Sequence, residues 1–288
     1  MIQDAGEKLI MALHKHADKV NYLCGAENIS PNVCVHEIRK SFKRMRAFLK
    51  FYPKSPDSIL REFKPAIVSL GKSLSIIRES AVNIQVFDKI SDGNELISER
   101  RIKLIKTHLV QKNSELLKNG FLENQVCSDI HSLMSTISGK LTDPETEHPT
   151  AQHVYQGICD SYRKGYDSFS TVIDEYDSEE LHKLRKKLKV LWYQLELFKY
   201  LQPRYLRVKS DQLHKITEQL GEDHDLYVFL QDIKTGDLEL DPGEMEIIEN
   251  QVQHHKELNG LRLANRLKQF FVDEPGDFNK KMAEVFEV

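Results

Sequence analysis

Glycine and proline are scarce in this 288-residue chain, at 13 and 9 residues. Few positions can therefore break a helix or build the tight turns of an all-β protein. The four cysteines, Cys24, Cys34, Cys127 and Cys159, include no CxxC pair, so neither a dithiol redox motif nor zinc-finger spacing is present and free thiols are expected. No apolar run reaches the 18 or more residues of a membrane span, and Met1 to Glu7 lacks the basic-then-apolar order of a signal peptide, so a cytoplasmic protein with no membrane partner is expected. There is no GxxxxGK[ST], no GxGxxG and no GxSxG, which removes support for nucleotide, dinucleotide and α/β-hydrolase chemistry.

Metal chemistry is equally thin. His14 and His16 are two apart and His254 and His255 adjacent, so neither pair shares a helix face, and HExxH is missing. Neither a metal nor a cofactor is expected, and no nucleophile with an activating base stands out, so the expectation is a non-enzyme. Net charge is −3, from 41 Lys plus Arg against 44 Asp plus Glu. Affinity for a polyanion would have to come from local clustering rather than from global charge.

What is present is helical periodicity. Val35, Ile38, Phe42, Met45, Leu49 and Tyr52 step by three and four residues until Pro53, the spacing of one buried helix face. Leu181, Leu184, Leu188, Leu191, Leu195 and Phe198 do the same, with Asp177 or Ser178 as N-cap and Pro203 beyond the end. Further helices are predicted over 3–23, 59–90, 95–118, 121–139, 151–174, 205–233, 243–272 and 276–286. Turn chemistry separates them, and the polar, Pro-containing stretch 142–150 falls near mid-chain. The expected organisation is a first repeat over 1–141, a linker over 142–150 and a second repeat over 151–288.

The two sides of that cut align with each other. His36-Glu37-Ile38-Arg39-Lys40-Ser41-Phe42-Lys43 matches His182-Lys183-Leu184-Arg185-Lys186-Lys187-Leu188-Lys189 at an offset of 146, and Leu74 to Glu79 faces Leu220 to Asp225 at the same offset. A tandem duplication explains this register. The fold class expected is all-α, two helical bundles of about four or five helices each, related by an approximate internal two-fold axis.

Charge follows the same register. From 36 to 50 there are six Lys or Arg, at 39, 40, 43, 44, 46 and 50, against the single acid Glu37. These residues keep the period of the apolar stripe but sit about 100° away from it around the helix axis. His182, Arg185, Lys186 and Lys189 repeat the layout. A purely solubilising helix face interleaves both signs, whereas two acid-poor stripes brought to a common groove would repel unless something anionic lay between them. Such a groove suits a linear polyanion, because Arg grips phosphate oxygens bidentately and Lys adds mobile point charge. Trp192, Tyr193, Phe198 and Tyr200 border or join the apolar stripe and are read as packing rather than base-stacking platforms.

The pattern H-x-x-R-x-x-x-[KR]-[KR]-x-R, filled by His36, Arg39, Lys43, Arg44 and Arg46, resembles the signature of CHAD domains, the conserved histidine α-helical domain, and His182, Arg185 and Lys189 resemble its second copy. Tyr162-Arg163-Lys164, Leu220-Gly221 with Asp225, and Glu274-Pro275 with Phe278 are similar to further family segments. The resemblance implies an all-α, duplicated four-helix-bundle repeat with internal pseudo-two-fold symmetry and a basic central groove or pore that binds inorganic polyphosphate, with no reaction catalysed, and association with polyphosphate granules. Together with the basic stripes it gives an expected binding set of His36, Arg39, Lys40, Lys43, Arg44 and Arg46 on one wall and His182, Arg185, Lys186 and Lys189 on the other. Glu79 and Asp225 occupy equivalent positions in the repeat and are assigned to orienting basic residues. Val190 and Trp192 stand where the second motif is usually basic, which makes the first wall the stronger. A phosphohistidine-transfer bundle and a nucleic-acid binder are the competing readings, since their phosphate contacts use the same residue types.

Overall fold

The computed structural model describes residues 5–53, 58–93, 96–172, 177–236, 238 and 240–288, and every regular element among them is helical. In chain order these are α1 (Ala5–Cys24), α2 (Pro31–Phe48), α3 (Ile59–Ser73), α4 (Ser75–Ser91), α5 (Glu99–Leu117), α6 (Val126–Thr142), α7 (Ala151–Val172), α8 (Ser178–Phe198), α9 (Val208–Thr235), α10 (Pro242–Phe270) and α11 (Pro275–Phe286). No described helix is long and apolar enough to cross a membrane.

The helix starts follow local chemistry. Pro31 opens α2 at a position where no backbone donor is needed. The Asp177 carboxylate accepts from the Glu179 and Glu180 amides at 3.1 and 3.0 Å to cap α8, and Asp241 with Glu244 forms a reciprocal capping box on α10. The helix predicted over 59–90 is instead two, α3 and α4, which meet at Leu74 (φ −83°, ψ −2°). Ser73 and Ser75 donate their hydroxyls back to the Leu70 and Lys72 carbonyls at 2.8 and 2.5 Å, competing with the backbone ladder at the break, while Leu74 itself is fully buried.

The apolar stripes read from the sequence become the buried faces. Val35, Ile38, Phe42 and Met45 of α2, and Leu184, Leu188, Leu191 and Leu195 of α8, are all essentially inaccessible to solvent. α2 packs against α1, α8 and α4, α7 lies along α8 and α11, and α4 crosses α9. Two hydrophobic clusters result. The larger combines α1, α2, α3, α6, α7, α8 and α11 with the starts of α4 and α9 and the end of α10; the smaller is built from the rest of α4, α5, the end of α9 and the start of α10. Each cluster thus draws on helices from both sides of residues 142–150.

Side chains fix these helices in register. Tyr162 of α7 stacks on Phe278 of α11, centroids 3.7 Å apart, and donates its hydroxyl to the Asp273 carbonyl at 2.7 Å. Gln194 of α8 is fully buried and donates to the Ala47 carbonyl of α2 at 3.1 Å. Gly157 of α7 is needed where it stands, because a Cβ there would come within 2.6 Å of the Phe51 ring. The connection from α6 to α7 is held by a Tyr52–His148 contact of 3.3 Å. The four cysteines are free thiols.

Candidate functional site

α2 and α8 pack directly against each other, so the basic residue flanking each apolar stripe meets its counterpart at the edge of that contact. Lys43 stands at the centre. It is solvent-accessible along its side chain yet recessed among the surrounding helices. Burial, with the nearby positive charges of Arg185, Arg39 and Lys189, brings its ammonium down to about 7, against the pull of Asp225. A cation from the first half therefore lies within the field of two cations from the second.

Arg39 sits one turn before Lys43 and donates to the Gly71 carbonyl of α3, while its Nε is buried without an acceptor. Arg185 has the same shortfall at Nε and lies against Gly221 of α9, where a Cβ would approach Nη2 to 3.5 Å. His182 leaves Nδ1 buried without a partner and stacks on His224 of α9. Burial, joined by Lys186, Arg185 and Lys43, lowers His182 to about 4. Buried polar atoms lacking partners are costly and rare in folded proteins; here they cluster with excess positive charge.

Two acids face this junction. Burial raises the Glu79 carboxyl against the pull of Arg39 and Lys43, and burial raises that of Asp225 against Arg185, Arg78 and Lys43. Neither makes a hydrogen bond or ion pair to a cation among the described residues, so they offset charge at a distance rather than clamping a partner. Lys189 is the exception among the central cations: it pairs with Glu218 at 2.9 Å and lies over the Trp192 ring at 4.5 Å, and Trp192 stacks on His214. Trp192 and Tyr193 are buried, as packing residues, whereas Tyr200 is exposed.

The remaining residues of the predicted set are spread around this centre. Lys40 pairs with Glu37 at 3.3 Å, and Glu37 also bonds Lys19 and lies 3.6 Å from His36. Lys40 nevertheless remains close enough to act on Lys189. Burial and the adjacent Arg78 lower His36. Arg44 turns to the Tyr193 ring, 5.5 Å away. Lys186 is exposed at the rim beside His182 and His224, and Arg46 is exposed on α2, close enough to act on Lys50.

Three residues outside the predicted set belong to the junction: Arg78, His224 and Glu218. The first two are related by the same offset of 146 that relates His36 to His182, so the repeat carried a signal for them. Glu218 had none, because its equivalent is Lys72. Among the described residues no group of three or more His, Cys, Asp or Glu side chains is arranged to hold a metal ion.

A family model described as the CHAD domain matches residues 12–232, from within α1 to within α9. The crystal structure of the CHAD domain from the plant Ricinus communis is similar over 98% of this chain and 91% of that chain, with a TM-score of 0.60 and 16% sequence identity. At that identity the likeness speaks to the fold. A comparison with curated proteins finds no significant match.

Proposed function

Because the chain belongs to the CHAD domain family, we propose that it is a non-enzymatic protein that binds inorganic polyphosphate in a basic groove between α2 and α8. The observation that carries this reading is the convergence of Lys43 with Arg185 and Lys189, from opposite halves of the chain. Repulsion among recessed cations destabilises the free protein and is relieved by a ligand that brings closely spaced negative charge. The incompletely satisfied guanidinium groups of Arg39 and Arg185 support the same reading, since phosphate oxygens complement the Arg fork. In cells that store polyphosphate, such binding would carry the protein to the granules.

The reading extends to a tandem duplication with pseudo-two-fold symmetry. Displaced by 146 residues, α1 falls on 151–170, where α7 lies, α2 on 177–194, where α8 lies, and α6 on 272–288, around α11. α3 and α4 together fall on 205–237, the span of α9. A phosphohistidine relay is less well supported, because His182 turns Nδ1 inward and covers one ring face with His224.

The test is affinity for long-chain polyphosphate across a salt series, with RNA and DNA of comparable charge as competitors. Tight, steeply salt-dependent binding that nucleic acid does not displace is expected. Equal displacement by RNA would make the protein a nucleic-acid binder, and no binding at low salt would overturn the anion-binding reading.

A further inference from the structure

The basic stripe of α2 does not stop at the junction with α8. Lys43, Arg46 and Lys50 follow one another by steps of three and four residues, so Lys50 lies two turns beyond Lys43, about 10 Å along the axis. Lys50 stands on the 3₁₀ turn Leu49–Phe51, which packs against both α3 and α7. Each of those helices adds a cation beside it, Lys64 from α3 and Lys164 from α7. Four positive groups from three parts of the chain thus meet, and all four are exposed. None makes a hydrogen bond or ion pair with an acid among the described residues. Lys50 is accessible yet partly recessed, and that partial burial, then Lys164, Lys64 and Arg46, lowers its ammonium to about 8, with no acid among the described residues opposing them.

The positions 146 residues further on look different. Arg46, Lys50 and Lys64 correspond there to Trp192, Glu196 and Ser210. Trp192 is buried, and Glu196 accepts from Lys199 at 2.7 Å and from the Ser210 hydroxyl at 2.9 Å. That end is neutralised by its own network, while the end at Lys50 is not. A solubilising surface mixes signs; three lysines and an arginine from separate elements, with no acid paired to them among the described residues, form a place short of negative charge.

We infer that Arg46, Lys50, Lys64 and Lys164 form a second anion station, which takes the phosphate groups of a polyphosphate chain as it leaves the α2–α8 groove. This rests on the polyphosphate reading above and adds to it a direction and a length dependence. The chain exits over the α3–α7 end, not over the end at Glu196. A chain that spans Lys43 and Lys50 engages both stations, the second binding event being intramolecular and therefore favoured by effective concentration. A short chain engages one.

The experiment compares long-chain polyphosphate with tripolyphosphate as probes, on the whole protein and on the variant Lys50→Gln/Lys64→Gln/Lys164→Gln. All three lysines are exposed, so the variant folds, which circular dichroism checks. Long-chain affinity is expected to fall at least tenfold with a flatter salt dependence, tripolyphosphate affinity to change less than threefold, and Lys50→Arg/Lys64→Arg/Lys164→Arg to retain long-chain binding. Unchanged long-chain affinity and salt slope in the Gln variant, with wild-type binding intact, would overturn the second station and leave the groove standing. Absence of polyphosphate binding by the wild type would remove both.

Discussion

The imidazole of His182 on α8 lies against that of His224 on α9, centroids 3.8 Å apart and planes 24° from parallel, in the field of Arg185, Lys186 and Lys43. Burial and these like charges lower His182 to about 4 and His224 to about 3. In the unfolded chain both titrate near the ordinary 6.5, so between that pH and about 4 the unfolded state binds more protons than the folded one. Stability is therefore expected to fall as pH drops through this window. Urea midpoints at pH 7 and pH 4.5 measure it, and His224→Phe, which keeps a stacked ring and removes one titrating group, should lose less on acidification. An equal loss in the variant would show that the stack does not govern acid sensitivity.

Lys43 gives the opposite window. Its ammonium titrates at about 7 in the free protein, and a polyphosphate beside it would raise that value toward the ordinary 10.5. Binding then takes up a proton, so affinity is expected to weaken as pH rises from about 7 toward 10. Binding isotherms at pH 6.5 and pH 9 in matched ionic strength should differ severalfold for the wild type and much less for Lys43→Arg, whose charge is permanent. A pH-independent wild-type affinity would place Lys43 outside the site.

Arg39 and Arg185 occupy equivalent positions on the two basic helices. Arg39→Ala with Arg185→Ala is expected to lower polyphosphate affinity at least tenfold with helicity unchanged, because each charge-assisted contact contributes roughly 1.5–3 kcal/mol when desolvated. Arg39 also donates to Gly71, so a small loss of Tm should accompany its substitution but not that of Arg185 alone. Undiminished affinity in the double variant would remove the arginines from the binding set.

Gly157 tests the packing that holds the halves together. An added methyl would sit 2.6 Å from a Phe51 ring that is only 2% exposed, and overpacking of this kind costs about 1–3 kcal/mol, against a helix-propensity gain of up to about 1 kcal/mol. Gly157→Ala is expected to lower Tm by several degrees, and Phe51→Leu in that background to recover part of the loss. A melting temperature at or above wild type would mean that Phe51 moves aside freely.

The long helices were legible because their signal is local. The apolar steps along α2 and α8 dictate which face is buried, Asp177 marks where α8 begins, and the offset of 146 links the two. The α3–α4 break was not legible, since it depends on two serine hydroxyls reaching back to carbonyls around a buried leucine, within a sequence whose periodicity continues. At the candidate site the stripe residues could be named, but not their partners. Nothing in the spacing says that Lys189 is held by Glu218 or that Lys19 reaches Glu37, because those contacts form between helices. The cations at Lys50 illustrate the same limit, since Lys64 and Lys164 are 14 and 114 residues away in sequence and meet it only after α3 and α7 have packed.

The composition of the two hydrophobic clusters bears on how this chain comes off the ribosome. When α6 has been synthesised, α1 and α2 still lack α7, α8 and α11, and α4 and α5 lack α9 and α10. The packing of α1 and α2 on α3 and α6, and of α4 on α5, closes these apolar faces only in part, so the nascent first half waits with some Leu, Ile and Phe exposed until the later helices have emerged. Such a chain is a client for chaperones during that interval, and a product truncated at the α6–α7 connection would keep the rest of that apolar surface exposed.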